Sequence, residues 1–287
     1  LIKYSFYVSS KNNLFGGCQL YSGYLEVQPN NEELSALYEG NNIYNLLINQ
    51  YLIIKNEDGK VIDKRRWDGN NLVKLIYTKI KDFKPLTPKQ ECLCDLLANQ
   101  TIPIRIIAGC AGSGKSKITM TFGMHFLNKG MFQKFFVVRH NVSVGEKNGY
   151  LKGNKFEKIR GWLGFFEDNL EGQQTIEELF DLGKLDMDSP EYMKGRDLKN
   201  SWILVDEAED LTEAQFKMIG ERISAGSIMC FVGDYDQITE SKYKKFSGIK
   251  RAINNLAGNP NVGIIVFDDL QNDNVRSEAS KVFSYLY

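Results

Sequence analysis

The rhythm of apolar and polar positions changes near residue 85. Upstream, the stretches 4–8, 19–27 and 51–55 are rich in β-branched and aromatic residues, the texture of strands. Asn56-Glu57-Asp58-Gly59 is a turn signal, so residues 61–67 return as the second strand of a hairpin. Residues 72–80 predict one more strand. A helix at 31–38 opens on Asn31 and carries Glu32 and Glu33 in its first turn, where the helix dipole favours negative charge. The expectation for 1–84 is a small, mostly antiparallel β module of about 80 residues.

Downstream, short apolar runs at 104–108, 135–138, 202–205, 228–232 and 262–267 alternate with amphipathic helical stretches. Runs of this length fit strands buried on both faces of a parallel sheet. Helices are predicted at 89–98, 115–128, 156–170, 212–223, 249–256 and 274–285. Alternating β and α segments imply a three-layer α/β domain over 85–287. The seam is Lys84-Pro85-Leu86-Thr87-Pro88, punctuated by two prolines.

Composition narrows the function. Acidic and basic residues number 36 each, so the chain lacks the overall positive charge of a constitutively strong nucleic-acid binder, while local basic surfaces remain open. The 5 cysteines form no CxxC pair and there are 2 histidines, which argues against zinc and for free thiols in a reducing compartment. No apolar run approaches the ~20 residues of a membrane helix, and no signal peptide opens the chain. A cytoplasmic protein with no membrane partner is expected. The chain starts at Leu1, which leaves room for an upstream segment.

The sharpest motif is Gly109-Cys110-Ala111-Gly112-Ser113-Gly114-Lys115-Ser116, a full match to GxxxxGK[ST]. Glycines let backbone N–H groups turn inward around a polyphosphate, and the following helix N-terminus favours an anion. Lys115 supplies charge for the β and γ phosphates, and the Ser116 hydroxyl is a magnesium ligand. The motif sits between an apolar strand and a helix, the context that ATP binding needs. Trp202-Ile203-Leu204-Val205-Asp206-Glu207 is an apolar strand ending in two carboxylates. Asp206 can hold hydrated magnesium and Glu207 can activate the attacking water. In Gly233-Asp234-Tyr235-Asp236-Gln237, Gln237 is the candidate γ-phosphate sensor, because its amide both donates and accepts. In Leu86-Thr87-Pro88-Lys89-Gln90, Gln90 is either a reader of adenine N6 and N7 or part of a helix-start signal.

Together these elements resemble the PhoH-like ATPase family over residues 86–286. The resemblance extends to Val138-Arg139 with Val144-Gly145, to Gly149-Tyr150-Leu151-Lys152-Gly153, and to Tyr192-Met193-Lys194-Gly195-Arg196-Asp197-Leu198. It closes with Ser247-Gly248-Ile249 and Asn274-Val275-Arg276-Ser277. It implies a RecA-like P-loop NTPase core, a parallel sheet between helices, related to the first motor domain of superfamily-one helicases. Glu209-Asp210 stands where members commonly carry Gln-Asn, and His140 and Lys152 stand where members carry proline. Tyr21-Ser22-Gly23, Leu37-Tyr38 and Asn49-Gln50-Tyr51-Leu52-Ile53-Ile54 look like the β module that joins a PIN nuclease to the core in fused members. No PIN-type acidic constellation is present before Leu86, so nuclease activity does not carry over.

The resemblance also implies partners. Relatives resemble hexameric rings, in which an arginine from a neighbouring subunit can stabilise charge on the leaving phosphates. Arg276 and Arg196 are the candidates. The loop after the second core strand touches nucleic acid in helicase relatives, which nominates Arg139 and His140. Lys152, Lys155, Lys158, Arg160 and the stretch 242–251 add positive charge with interleaved aromatics, suited to single strands or simply to solvent. The leading expectation is a magnesium-dependent ATPase acting on RNA or single-stranded DNA. The alternative is a nucleotide-dependent switch or assembly protein with slow hydrolysis. A P-loop kinase fits less well, since Glu207 beside Asp206 suits water activation.

Overall fold

The computed structural model describes residues 20–80, 83–139, 176–235, 247–269 and 271–275. Among these, ten strands form two sheets. The smaller sheet holds β1 (Tyr24–Val27), β2 (Tyr51–Lys55), β3 (Val61–Trp67) and β4 (Leu72–Lys74), in that order. The hairpin of β2 and β3 forms at the predicted turn, where Asn56 N–H and Lys60 O pair at 2.9 Å. β1 lies parallel to β2. Helix α1 (Asn31–Tyr38) starts on a reciprocal cap in which Asn30 accepts from the Glu33 N–H and Glu33 accepts from the Asn30 N–H, each at 2.9 Å.

The larger sheet is wholly parallel. Its strands are β5 (Ile104–Gly109), β6 (Lys134–Val138), β7 (Leu185–Asp188), β8 (Ser201–Val205), β9 (Ile228–Gly233) and β10 (Val262–Phe267), in spatial order β10-β5-β9-β8-β6-β7. The helices are α2 (Pro88–Ala98), α3 (Lys115–Asn128), α4 (Ile176–Asp181), α5 (Glu213–Gly220) and α6 (Gly248–Leu256). Strand side chains alternate between two cores. Trp202 and Leu204 pack with α2 and α3 on one face, and Ile203 and Val205 pack with α5 and α6 on the other. Burial on both faces is why these strands read as unbroken apolar runs. Gly123 sits where α3 crosses β6 and β8; a Cβ there would lie 2.3 Å from the Phe135 ring and 2.4 Å from Trp202 Nε1.

The two sheets are packed together. Tyr51 and Ile53 of β2 enter the same core as α2 and α3. Tyr51 Oη and Arg66 Nε both donate to the Asp95 carboxylate, at 2.9 and 3.0 Å, and Ile76 N–H donates to its other oxygen at 2.7 Å. Asn49 donates to the carbonyls of Pro260 and Val262. The Val266 N–H donates to Ser22 O at 2.8 Å, so the segment before β1 runs beside β10.

Several expectations are adjusted. Of residues 72–80 only Leu72–Lys74 is strand; beyond it the Ile76 N–H donates to Asp95 of α2, and Leu75, Tyr77 and Ile80 pack against the larger core. Strand β7 and helix α4 were not anticipated. β7 reads Leu-Asp-Met-Asp, with no β-branched residue to announce it, and it forms because β6 offers a free edge. The strand expected at 4–8, the helix at 156–170 and nearly all of that at 274–285 lie outside the described residues. No helix among the described residues is long and apolar enough to cross a membrane.

Candidate nucleotide site

All strands of the larger sheet point one way, so their carboxyl ends share one edge. The loop after β5, Asp206 after β8, Asp234 after β9 and Arg139 after β6 therefore converge, as ligand-binding loops do in open parallel sheets. Between them lies a cleft of about 400 Å³, lined by Ala111, Gly112, Gly114, Lys115, Ser116, Lys117, Asp206, Glu207, Val232, Gly233 and Asp234.

The phosphate loop has the backbone its glycines predict. Gly109, Gly112 and Gly114 have φ of 116°, 80° and 82°, in the left-handed region. A Cβ on Gly109 would lie 2.0 Å from the carbonyl oxygen of Phe267, which accepts from the Cys110 N–H at 2.8 Å. Gly114 caps α3 without a side-chain hydrogen bond, so an anion has the first turn of that helix to itself. Lys115 is buried and folds back on the loop, donating to Gly109 O at 2.6 Å, Cys110 O at 2.7 Å and Ser113 Oγ at 3.3 Å. Burial holds its ammonium below the usual lysine range, against the pull of Asp234 and other carboxylates.

Ser116 Oγ and Asp206 Oδ1 are 2.9 Å apart across the loop. A hydroxyl and a carboxylate so placed suit magnesium, which binds few protein oxygens and keeps waters and phosphates as its other ligands. Burial, and then the charge of Glu207, raise the Asp206 carboxyl from 3.8 to about 6; Arg139 and Ser116 oppose this. Glu207 has φ 52° and ψ 44°, a left-handed backbone unusual for a residue with a side chain. Its carboxylate is exposed at the cleft and accepts from Arg139 Nη2 at 2.9 Å, while Arg139 Nη1 is 3.6 Å from Asp206.

Glu209 ends up beneath this pair. It is 3% exposed, and its Oε2 has no hydrogen-bond partner. Gly233 makes room for it, since a Cβ there would lie 2.3 Å from that oxygen. Burial, followed by a hydrogen bond and charge from Glu207, raises the Glu209 carboxyl from 4.5 to about 9. Burial beside Glu207 thus favours the neutral form of Glu209 well above the usual carboxylate range. A folded-state pKa raised above the unfolded value stabilises the fold at low pH and is lost as pH climbs from 4.5 to 9. Glu209→Gln, which cannot ionise, should raise the melting temperature over wild type by an increment that grows by several degrees (~) between pH 5 and pH 9. Thermal melts across that range check it; an increment independent of pH counts against the buried neutral acid.

Gln90 is buried against the loop: its Nε2 donates to Ser113 O at 2.9 Å and its Oε1 accepts from the Leu86 N–H at 2.7 Å. Reading adenine would require the amide to leave both partners, so in this state it braces the phosphate loop. Arg196 pairs with Asp188, lies 3.6 Å from Asp186 and stacks over Phe136, away from the cleft. Gln237, Arg276 and His140 lie outside the described residues, as do Lys152, Lys155, Lys158 and Arg160. Sequence reasoning missed that Arg139 meets the two carboxylates. The signal was strand order: β6 and β8 are neighbours, and the Asp206 N–H donates to Val138 O at 2.9 Å. Among the described residues no cluster of three His, Cys, Asp or Glu side chains forms a metal cage.

A six-stranded parallel sheet between helices, with a Gly-rich phosphate loop and a paired serine and aspartate at its carboxyl edge, defines the P-loop class of nucleotide-binding folds. Within that class the chain belongs to the PhoH-like protein family, whose profile matches residues 82–287 and whose members are generally ATP-binding proteins. It is 27% identical over 271 residues to Protein PhoH2 of Bacillus subtilis (strain 168), covering 86% of this chain and 61% of that protein. It is 34% identical over 171 residues to a PhoH-like protein of the same organism, covering 58% of this chain and 53% of that one. Protein PhoH2 of Mycolicibacterium smegmatis is 29% identical over 177 residues, 60% of this chain and 40% of the relative. The chain thus spans less than two thirds of the length of each of these relatives.

Proposed function

We propose that the chain binds ATP with magnesium, hydrolyses it, and couples turnover to RNA or single-stranded DNA. The observation that carries this reading is the convergence of Lys115, Ser116, Asp206 and Glu207 on one cleft. Lys115 would trade its loop carbonyls for the β and γ phosphates. Ser116 and Asp206 would hold the metal, which neutralises phosphate charge when bound. Glu207 would take a proton from water as the water oxygen attacks the γ phosphorus, and the bond to the ADP oxygen breaks. Gln237 is our candidate for sensing the γ phosphate. Arg276, and after it Arg196, are our candidates for a positive charge supplied across a subunit boundary in a homo-oligomeric ring.

The polymer part is tested by ATP turnover of the purified chain with and without single-stranded RNA or DNA at low salt. Stimulation of about tenfold that fades as salt rises is expected, because phosphate contacts release counterions. Turnover indifferent to either strand would replace the motor reading with a nucleotide-dependent switch.

A further inference from the structure

Arg139 closes strand β6, and its guanidinium spans both carboxylates at the end of β8. It donates to Glu207 Oε1 at 2.9 Å and lies 3.6 Å from Asp206 Oδ2. The backbone enforces the meeting, because the Asp206 N–H donates to the carbonyl of the residue just before Arg139. Glu207 comes to this contact from a left-handed backbone, a conformation that persists only where surroundings hold it. A carboxylate acts as a base through the electron pairs on its oxygens. One committed to a charge-assisted hydrogen bond has that oxygen aimed at the guanidinium instead of at water. The pair is also reachable. The Arg139 and Glu207 side chains are 25% and 42% exposed, so an incoming anion can approach from solvent.

We propose that Arg139 is a latch on Glu207: without a strand it restrains the water-activating carboxylate, and a phosphodiester of a single-stranded nucleic acid releases that carboxylate by taking the guanidinium. The proposal rests on the ATPase reading and supplies its regulation. A guanidinium matches the two oxygens of a phosphodiester as well as those of a carboxylate, so the exchange leaves Arg139 paired throughout. The ion pair is partly exposed, and such pairs are weak enough to be displaced by a competing anion. Arg139 is then a positioning residue, acting through Glu207.

The test is steady-state turnover of Arg139→Ala and Arg139→Gln at saturating magnesium ATP, with and without oligo-uridine and oligo-thymidine. In both variants strand-free kcat should rise about fivefold, the shift that one partly exposed ion pair can hold. KM for ATP should move less than about threefold, because the loop contacts are untouched. Added oligonucleotide should give no further increase. Strand-free turnover that is unchanged or lower, with ATP still bound, overturns the latch and makes Arg139 an aid to Glu207. Stimulation that persists at its wild-type size overturns the exchange. Should the alanine variant fail to fold, the glutamine variant, which keeps most of the side-chain length, carries the same expectations. If neither wild type nor variants turn over the ATP they bind, the hydrolysis reading fails and takes the latch with it; a wild type that hydrolyses beside variants no faster sinks the latch alone.

Discussion

Lys115→Ala should weaken ATP binding by about a hundredfold, the loss of two or more charge-assisted hydrogen bonds to phosphate. Lys115 is 8% exposed, and its ammonium already sits at the bottom of the cleft on Gly109 O, Cys110 O and Ser113 Oγ. These are the contacts of a cation held where a polyphosphate would arrive. Burial lowers its pKa, against the opposing pull of Asp234 and, more weakly, Asp206. Removing that cation leaves the acids to repel ATP. Titration calorimetry on wild type and variant decides it, with melting curves to show that both are folded. Equal affinities would remove the cleft from consideration as the ATP site.

Glu207→Gln should bind ATP within about threefold of wild type and lower turnover by about 10²–10⁴, the range of a lost general base. The substitution preserves size and the acceptor that faces Arg139, so the contact at 2.9 Å survives in neutral form. What disappears is the oxygen able to take a proton from water. Glu209 beneath it stays buried, and its carboxyl loses the neighbouring charge that helps keep it protonated. Single-turnover hydrolysis separates this from slow product release. A normal chemical step in the variant would transfer the role away from Glu207.

The parts of the molecule legible in the sequence are those set by local rules. The five apolar runs of the core are strands because their residues bury both faces. The hairpin at Asn56–Lys60 follows its turn residues, and α2 begins at Thr87 and Pro88, where a hydroxyl cap and a fixed φ favour a start. Strand β7 was hidden because Leu-Asp-Met-Asp carries no propensity of its own; β6 recruits it. Glu209 showed in the sequence only as an added charge. Its burial under Glu207, and hence its neutrality, comes from the approach of the turn at Ala208–Asp210 to Gly233. Gln90 was readable as a helix-start residue, but its grip on Ser113 depends on how α2 packs beside the phosphate loop.

By itself the sequence determined the phosphate loop. Glycines at 109, 112 and 114 permit the left-handed backbone the loop adopts, and Lys115 and Ser116 follow directly, so every requirement lies within eight consecutive positions. It likewise determined that Asp206 and Glu207 stand at a strand end. Only the tertiary structure decided that Ser116 meets Asp206, that Arg139 meets Glu207, and that Asp95 ties the smaller sheet to α2. Those contacts join residues 90, 68 and 44 positions apart in the first three cases. The first two exist because parallel strands β5, β9, β8 and β6 lie side by side and end together, and the third because the smaller sheet packs on α2; neither arrangement is written in a single stretch of chain.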